Sequence, residues 1–193
     1  MFIQTEQTPN PLTLKFLPGR DVTGEGSREF RDPEAAHVSP LARELFAVEG
    51  VARVFFGPDV VTVTRTDALE WRQLKAPILA AIMEHYTSGQ PLYGEKGEDE
   101  GSSGHNADGV YDADTEQVVS EIKELLDTRI RPAVAQDGGD ILFDRFDPES
   151  GVVYLNMRGS CAGCPSSAAT LKSGVENLLK HYVPEVTRVE QVI

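Results

Sequence analysis

Cysteine is scarce in this chain: its 193 residues hold two. That number excludes the disulfide framework of a small secreted domain, and it excludes a complete four-cysteine metal site inside one chain. Histidine is little more abundant. His37, His85, His105 and His181 are the whole supply, and none stands at ligand spacing from the cysteines. Cations are short too, 18 Lys and Arg against 31 Asp and Glu, for a net charge of −13. A chain this acidic is a poor partner for nucleic-acid phosphates or for anionic membrane surfaces. No apolar run approaches the ~18 residues that cross a bilayer. The first residues, MFIQTEQTPNPLTLKF, show no basic n-region, no apolar h-region and no Arg/Ser-rich amphipathic pattern. That predicts a cytoplasmic protein whose thiols meet a reducing pool. What remains is ordinary for a globular protein, 40% hydrophobic and 25% charged.

Composition divides the chain. Residues 94–113, GEKGEDEGSSGHNADGVYDA, carry six acids and one Lys and have no apolar periodicity. Such a stretch cannot bury enough surface to offset its ordering entropy, which predicts a flexible acidic linker with His105 exposed in it. The fold class expected is α+β, with small domains at 1–93 and 114–193. In the first, strands are expected at 3–5 and 12–17, with a hairpin of 51–56 and 60–65 around Gly57-Pro58-Asp59. Ser39-Pro40 opens a helix that stops at Gly50. Asp67 caps another that reaches about Ser88, and Pro77 should kink it. This half has no cysteine, no nucleophile motif and no Gly-rich phosphate loop, so it reads as an interaction module. Phe55 and Phe56 are adjacent, so they point to opposite faces of the sheet, and an exposed one would suit partner docking.

In the second half the order expected is α-β-β-α-β. Asp114 or Thr115 caps a helix whose end Arg131-Pro132 disturbs. Strands at 141–146 and 152–157 follow, then a helix opened by Cys164-Pro165, then a strand at 186–192. Cys161 and Cys164 form a C-x-x-C, a spacing that random placement of two cysteines gives about one time in a hundred. The pair falls in the loop between the second strand and the second helix. A helix N-terminus favours negative charge through its free N–H groups, and Gly159, Ser160, Ala162 and Gly163 leave room for something bulky. Two thiolates do not complete a zinc or cubane site, and counting points to two chains that give two cysteines each. Gln136-Asp137-Gly138-Gly139-Asp140 reads as a turn whose glycines take positive φ, or as a shaper of the cysteine loop. Arg158 and Lys172 read as solvated cations, and His37, His85 and His181 as surface or interface residues.

Gly159-Ser160-Cys161-Ala162-Gly163-Cys164-Pro165-Ser166-Ser167 with Thr170-Leu171-Lys172 resembles the signature of the NifU C-terminal (Nfu) domain. Arg131-Pro132-Ala133 and residues 136–140 fit the same domain. Thr5-Glu6-Gln7-Thr8-Pro9-Asn10-Pro11 and the hairpin around Gly57-Pro58-Asp59 resemble the N-terminal domain that accompanies it. The resemblance implies an iron–sulfur cluster scaffold or carrier, not an enzyme. It implies a [4Fe–4S] cluster, or [2Fe–2S] in some states, bridging a homodimer through Cys161 and Cys164 of each chain. Its partners would be an upstream scaffold and apo iron–sulfur client proteins, with no nucleic acid and no membrane. With no transit peptide in view, the expected location is a bacterial cytoplasm, and the mitochondrial matrix only after removal of such a peptide. Two readings compete for the same cysteines: a thioredoxin-like thiol-disulfide oxidoreductase, and a structural zinc clasp between two chains.

Overall fold

Ser39 shows how closely the local signals act in the first unit: its hydroxyl accepts from the Ala42 N–H, and Pro40 takes the first helical position. The computed structural model describes residues 2–94, 105, 111–162 and 165–192, with backbone alone at 165–167. The chain forms two compact units, Met1–Ser103 and Gly104–Ile193.

The first unit is a five-stranded antiparallel sheet. Its strands are β1 (Gln4–Gln7), β2 (Thr13–Leu17), β3 (Arg28–Phe30), β4 (Val51–Phe56) and β5 (Val61–Arg65), in the order β1-β2-β5-β4-β3. Helices α1 (Pro40–Phe46) and α2 (Trp71–Ser88) cover one face. Leu41, Leu45, Leu74, Ile78 and Ile82 pack there against Phe16, Val54, Phe56, Val61 and Val63. A short 3₁₀ turn at Ala35–Val38 and strand β3 have no clear apolar period, and sequence reasoning missed both. Pro77 does not divide α2. The helix runs unbroken to Gly89, whose φ of +67° closes it, and its cap is Glu70 in a capping box with Gln73 rather than Asp67. Phe55 is as buried as Phe56, so neither supplies an exposed docking aromatic.

The second unit follows the expected α-β-β-α-β order. Helix α3 (Ala113–Leu125) is capped by Asp112, which accepts from the Thr115 N–H, slightly earlier than the expected Asp114 or Thr115. A π turn, Leu126–Ile130, leads into α4 (Arg131–Gln136). There the Arg131 N–H donates to the carbonyl of Leu126, five residues back. The wide turn lets Pro132, which has no N–H, sit in the first turn of α4. Strands β6 (Gly139–Asp147) and β7 (Val152–Gly159) pair antiparallel, α5 (Pro165–Tyr182) crosses over, and β8 (Arg188–Val192) joins β7 in parallel. The core gathers Ile122, Leu126, Ile141, Phe143, Leu155, Met157 and Leu179, with Cys161 at its margin.

Candidate metal centre at the end of the second sheet

Cys161 follows β7 directly, two residues beyond Gly159, whose φ of +65° turns the chain out of the strand. The cysteine is 7% exposed. Its neighbour Cys164, with Gly163, lies outside the described residues, and so does most of the stretch expected as a linker. Across the sheet, Gly139 opens β6 opposite Gly159, and the Ser160 N–H donates to Gly138 O at 3.2 Å. An ideal Cβ built on Gly139 would stand 2.6 Å from Cys161 Sγ and 2.8 Å from Arg158 O. The two glycines of the 136–140 motif therefore differ. Gly138, with φ of +77°, fits the turn reading. Gly139 is a glycine because the cysteine side chain lies where its own would be.

Beside the cysteine runs a chain of charged contacts. Arg131 donates from Nε to Asp140 Oδ1 at 2.8 Å and from Nη2 to Asp140 Oδ2 at 3.0 Å. Its Nη1 donates to Asp127 Oδ1 at 2.8 Å. Asp140 Oδ1 also accepts from the Ile141 N–H. The hydrogen bonds to Asp140 are the main reason the guanidinium is held charged more firmly than usual. Burial alone would raise the Asp127 carboxyl, but the bond from Arg131 and the nearby His105 carry it below the usual range. His105 is a correction to the sequence reading. Its side chain is only 10% exposed, with Nδ1 accepting from the Phe143 N–H at 2.8 Å and Nε2 facing Asp127 Oδ1 at 3.0 Å. Burial lowers its pKa, against the pull of Asp127. Tyr111 belongs here as well: its hydroxyl accepts from the Phe146 N–H at 2.9 Å. A composition dominated by Gly and acids hid both anchors.

The other candidates separate. Lys172 is paired to Glu190 at 2.6 Å rather than simply solvated. His85 is buried in the first unit, against the surface reading, whereas His37 and His181 are exposed. Among the described residues no group of three or more His, Cys, Asp or Glu is placed to hold a metal ion. No helix among them is long and apolar enough to cross a membrane. As a donor, cysteine sulfur suits iron–sulfur clusters, and the small residues Gly139, Gly159, Ser160 and Ala162 keep bulk away from it.

Residues 3–89 match the family described as "Scaffold protein Nfu/NifU N terminal", and residues 122–190 match "NifU-like domain". The chain belongs to the Nfu/NifU family. "NifU-like protein 4, mitochondrial" from Arabidopsis thaliana is 52% identical over 99% of this chain and 66% of its own length. "NFU1 iron-sulfur cluster scaffold homolog, mitochondrial" from Homo sapiens is 50% identical over 100% of this chain and 72% of its own. The protein of that name from Drosophila willistoni is 52% identical over 100% of this chain and 64% of its own. The chain thus spans about two thirds of the length of these relatives. All three are named mitochondrial, which overturns the expectation of a bacterial cytoplasm. The physical reason is plain: a targeting segment is a removable address and leaves no mark on the residues that build the folded units.

Proposed function

We propose that this Nfu/NifU family member is an iron–sulfur cluster scaffold and carrier, with the cluster as cargo held between two copies of the chain. Cys161 and Cys164 of each copy serve as its four ligands. The cluster is [4Fe–4S], with [2Fe–2S] as a lower-nuclearity state that the same four thiolates accommodate. The observation that carries this reading is the count and placement of sulfur. There are two cysteines in the chain, in C-x-x-C, and the first stands at the end of a strand with glycine beneath it. The relatives named as iron–sulfur cluster scaffolds support the choice of cargo.

The described residues suggest how the site works. Cys161 is held on the short loop beyond Gly159, while Arg131 and Asp140 tie α4 to the first residues of β6. A cluster shared across an interface leaves when that interface opens, which suits delivery to apo-proteins and receipt from an upstream scaffold. Bound there, the cluster supplies iron and sulfide to the client, and this chain supplies the ligands and their geometry. Residues 1–93 act as the module that recognises those partners, and residues 114–193 as the cluster-binding domain. Catalysis has no part in this reading.

Anaerobic reconstitution with iron and sulfide tests it. About two iron and two sulfide per chain, brown colour and a dimer in solution are expected for a bridging [4Fe–4S] cluster. A colourless monomer whose cysteines cycle through an internal disulfide would replace the carrier with a thiol-disulfide oxidoreductase. Removal of residues 1–93 should leave cluster binding intact and weaken transfer to an apo client; loss of the cluster with the deletion would end the modular division.

A further inference from the structure

We propose that Gly139 is a positioning residue for Cys161: its missing side chain leaves a niche at the sheet end that shelters the thiol, and the Arg131–Asp140 pair keeps that niche in register. For its functional meaning the proposal rests on reading Cys161 as a cluster ligand.

The backbone does not require glycine at 139. Its φ lies outside the left-handed region, unlike that of Gly138. The space does. A Cβ there would meet Cys161 Sγ at 2.6 Å, Arg158 O at 2.8 Å and Ser160 Oγ at 3.1 Å, and two of these neighbours cannot yield cheaply. Arg158 O belongs to strand backbone, and Cys161 is packed at the margin of the core. The niche is therefore shaped for a sulfur atom lying against bare backbone. Its floor is fixed from one side by the pairing of Gly139 with Gly159. From the other it is fixed by the residue that follows Gly139. Asp140 is gripped by two nitrogens of Arg131, so β6 starts at a set position relative to α4. Arg131 is itself fixed by Asp127, and Asp127 by His105, at 2.8 and 3.0 Å.

A thiol so placed is shielded from solutes. A ligand shared between two copies must reach outward, so loading requires the Cys161 side chain or its loop to leave the niche. The apo-protein then keeps this sulfur sheltered until a cluster and a second copy arrive, which limits its stray oxidation.

The test needs no iron. In the full-length apo chain carrying Cys164→Ser, Cys161 is the only thiol, and its alkylation by iodoacetamide is followed by mass spectrometry under anaerobic conditions. The folded protein should react at least about tenfold more slowly than the same chain in concentrated urea. Gly139→Ala should bring the rate most of the way to the urea value, and Arg131→Gln should raise it about threefold, with Arg131→Lys in between. Gly151→Ala, a strained change in the same unit away from the cysteine, should lower the unfolding midpoint without speeding the reaction. The proposal falls if the folded parent reacts within about twofold of the urea rate. It falls too if folded Gly139→Ala or Arg131→Gln reacts at the parent rate, or if Gly151→Ala accelerates the reaction as much as they do. Should Gly139→Ala not fold, the parent and Arg131→Gln rates decide. A sheltered thiol in a chain that never takes up a cluster would sink the carrier reading and leave the niche standing.

Discussion

The two units send their polar side chains to different places. In the first, they serve loops and helix ends, near or far: Trp71 Nε1 donates to Pro11 O and the Tyr86 hydroxyl to Asp21 O, both in loops distant in sequence. Thr8 and Asn10 bond within a few residues to shape the loop between β1 and β2. Ser39 and Glu70 cap the helices they precede. In the second unit, polar side chains join segments far apart in sequence. His105 and Tyr111 accept from Phe143 and Phe146 in β6, and Glu176 of α5 accepts from the Val189 N–H in β8. In the second unit these contacts land on the edges of the sheet. Three strands leave both outer strands, β6 and β8, as edges with unpaired backbone groups, and side chains from elsewhere occupy those groups. Under the proposed function this is also the unit that holds the cargo, and of its polar contacts the Arg131–Asp140 pair is the one next to the cysteine loop.

The sharpest break of this comparison is at the sulfur. Cys161→Ala or Cys164→Ala, under the proposed function, should reduce iron per reconstituted chain to background, because each removes two of four ligands from a dimer. Wild-type iron content in either variant would end the bridging assignment.

Phe16→Ala should do the reverse. It removes a fully buried ring from the first core and should cost ~3–5 kcal/mol in denaturant unfolding, with iron per folded chain unchanged. A cluster lost together with Phe16 would mean that the units do not divide their tasks.

Two glycines of the second unit should move stability in opposite directions. Gly151 has φ of +69°, and a Cβ there would collide with Glu185 O, so Gly151→Ala should cost ~2–4 kcal/mol. Gly174 lies in α5 with nothing within 4 Å of its Cβ position, so Gly174→Ala should gain ~0.5–1 kcal/mol. Urea midpoints measure both.

The smallest effect concerns pH. His85 in the first unit and His105 in the second both have pKa values lowered from 6.5, chiefly by burial. Each is neutral in the folded state at a pH where the unfolded chain is protonated. Their contribution is whole above 6.5 and declines as pH falls from there towards the lower folded values. His85→Leu should flatten the acid side of the melting profile for the first unit, and His105→Gln that for the second. His105 has a further reason to resist protonation, since Nδ1 accepts from a backbone N–H. An unchanged acid limb in His105→Gln would show that protonation of His105 does not limit the stability of the second unit.

Much of the fold was legible because its signals are local. Ser39-Pro40, the apolar spacing of Leu74, Ile78 and Ile82, and the apolar runs of β6 and β7 on either side of a Pro148–Gly151 turn each act within a turn or a strand pair. Pro77 misled because an exposed proline in a long, well-capped helix loses one hydrogen bond without breaking the packing around it. His105 and Tyr111 misled because their meaning depends on a strand edge more than thirty residues away. Within the site, the C-x-x-C pair was plain, and Gly138 was correctly a turn glycine. The reason for Gly139 was out of reach, since it is another residue's sulfur.

The sequence by itself determined the family, the α-β-β-α-β order of the second half and the sulfur count that limits any metal site. Those are properties of residue type and spacing, and they exist before the chain folds. Tertiary structure alone decided which acid grips Arg131, which histidine is buried and where Cys161 lies. Those depend on which residues distant in sequence meet at the end of a sheet, and the bond lengths, burial and clashes that result exist only once β6 and β7 have paired.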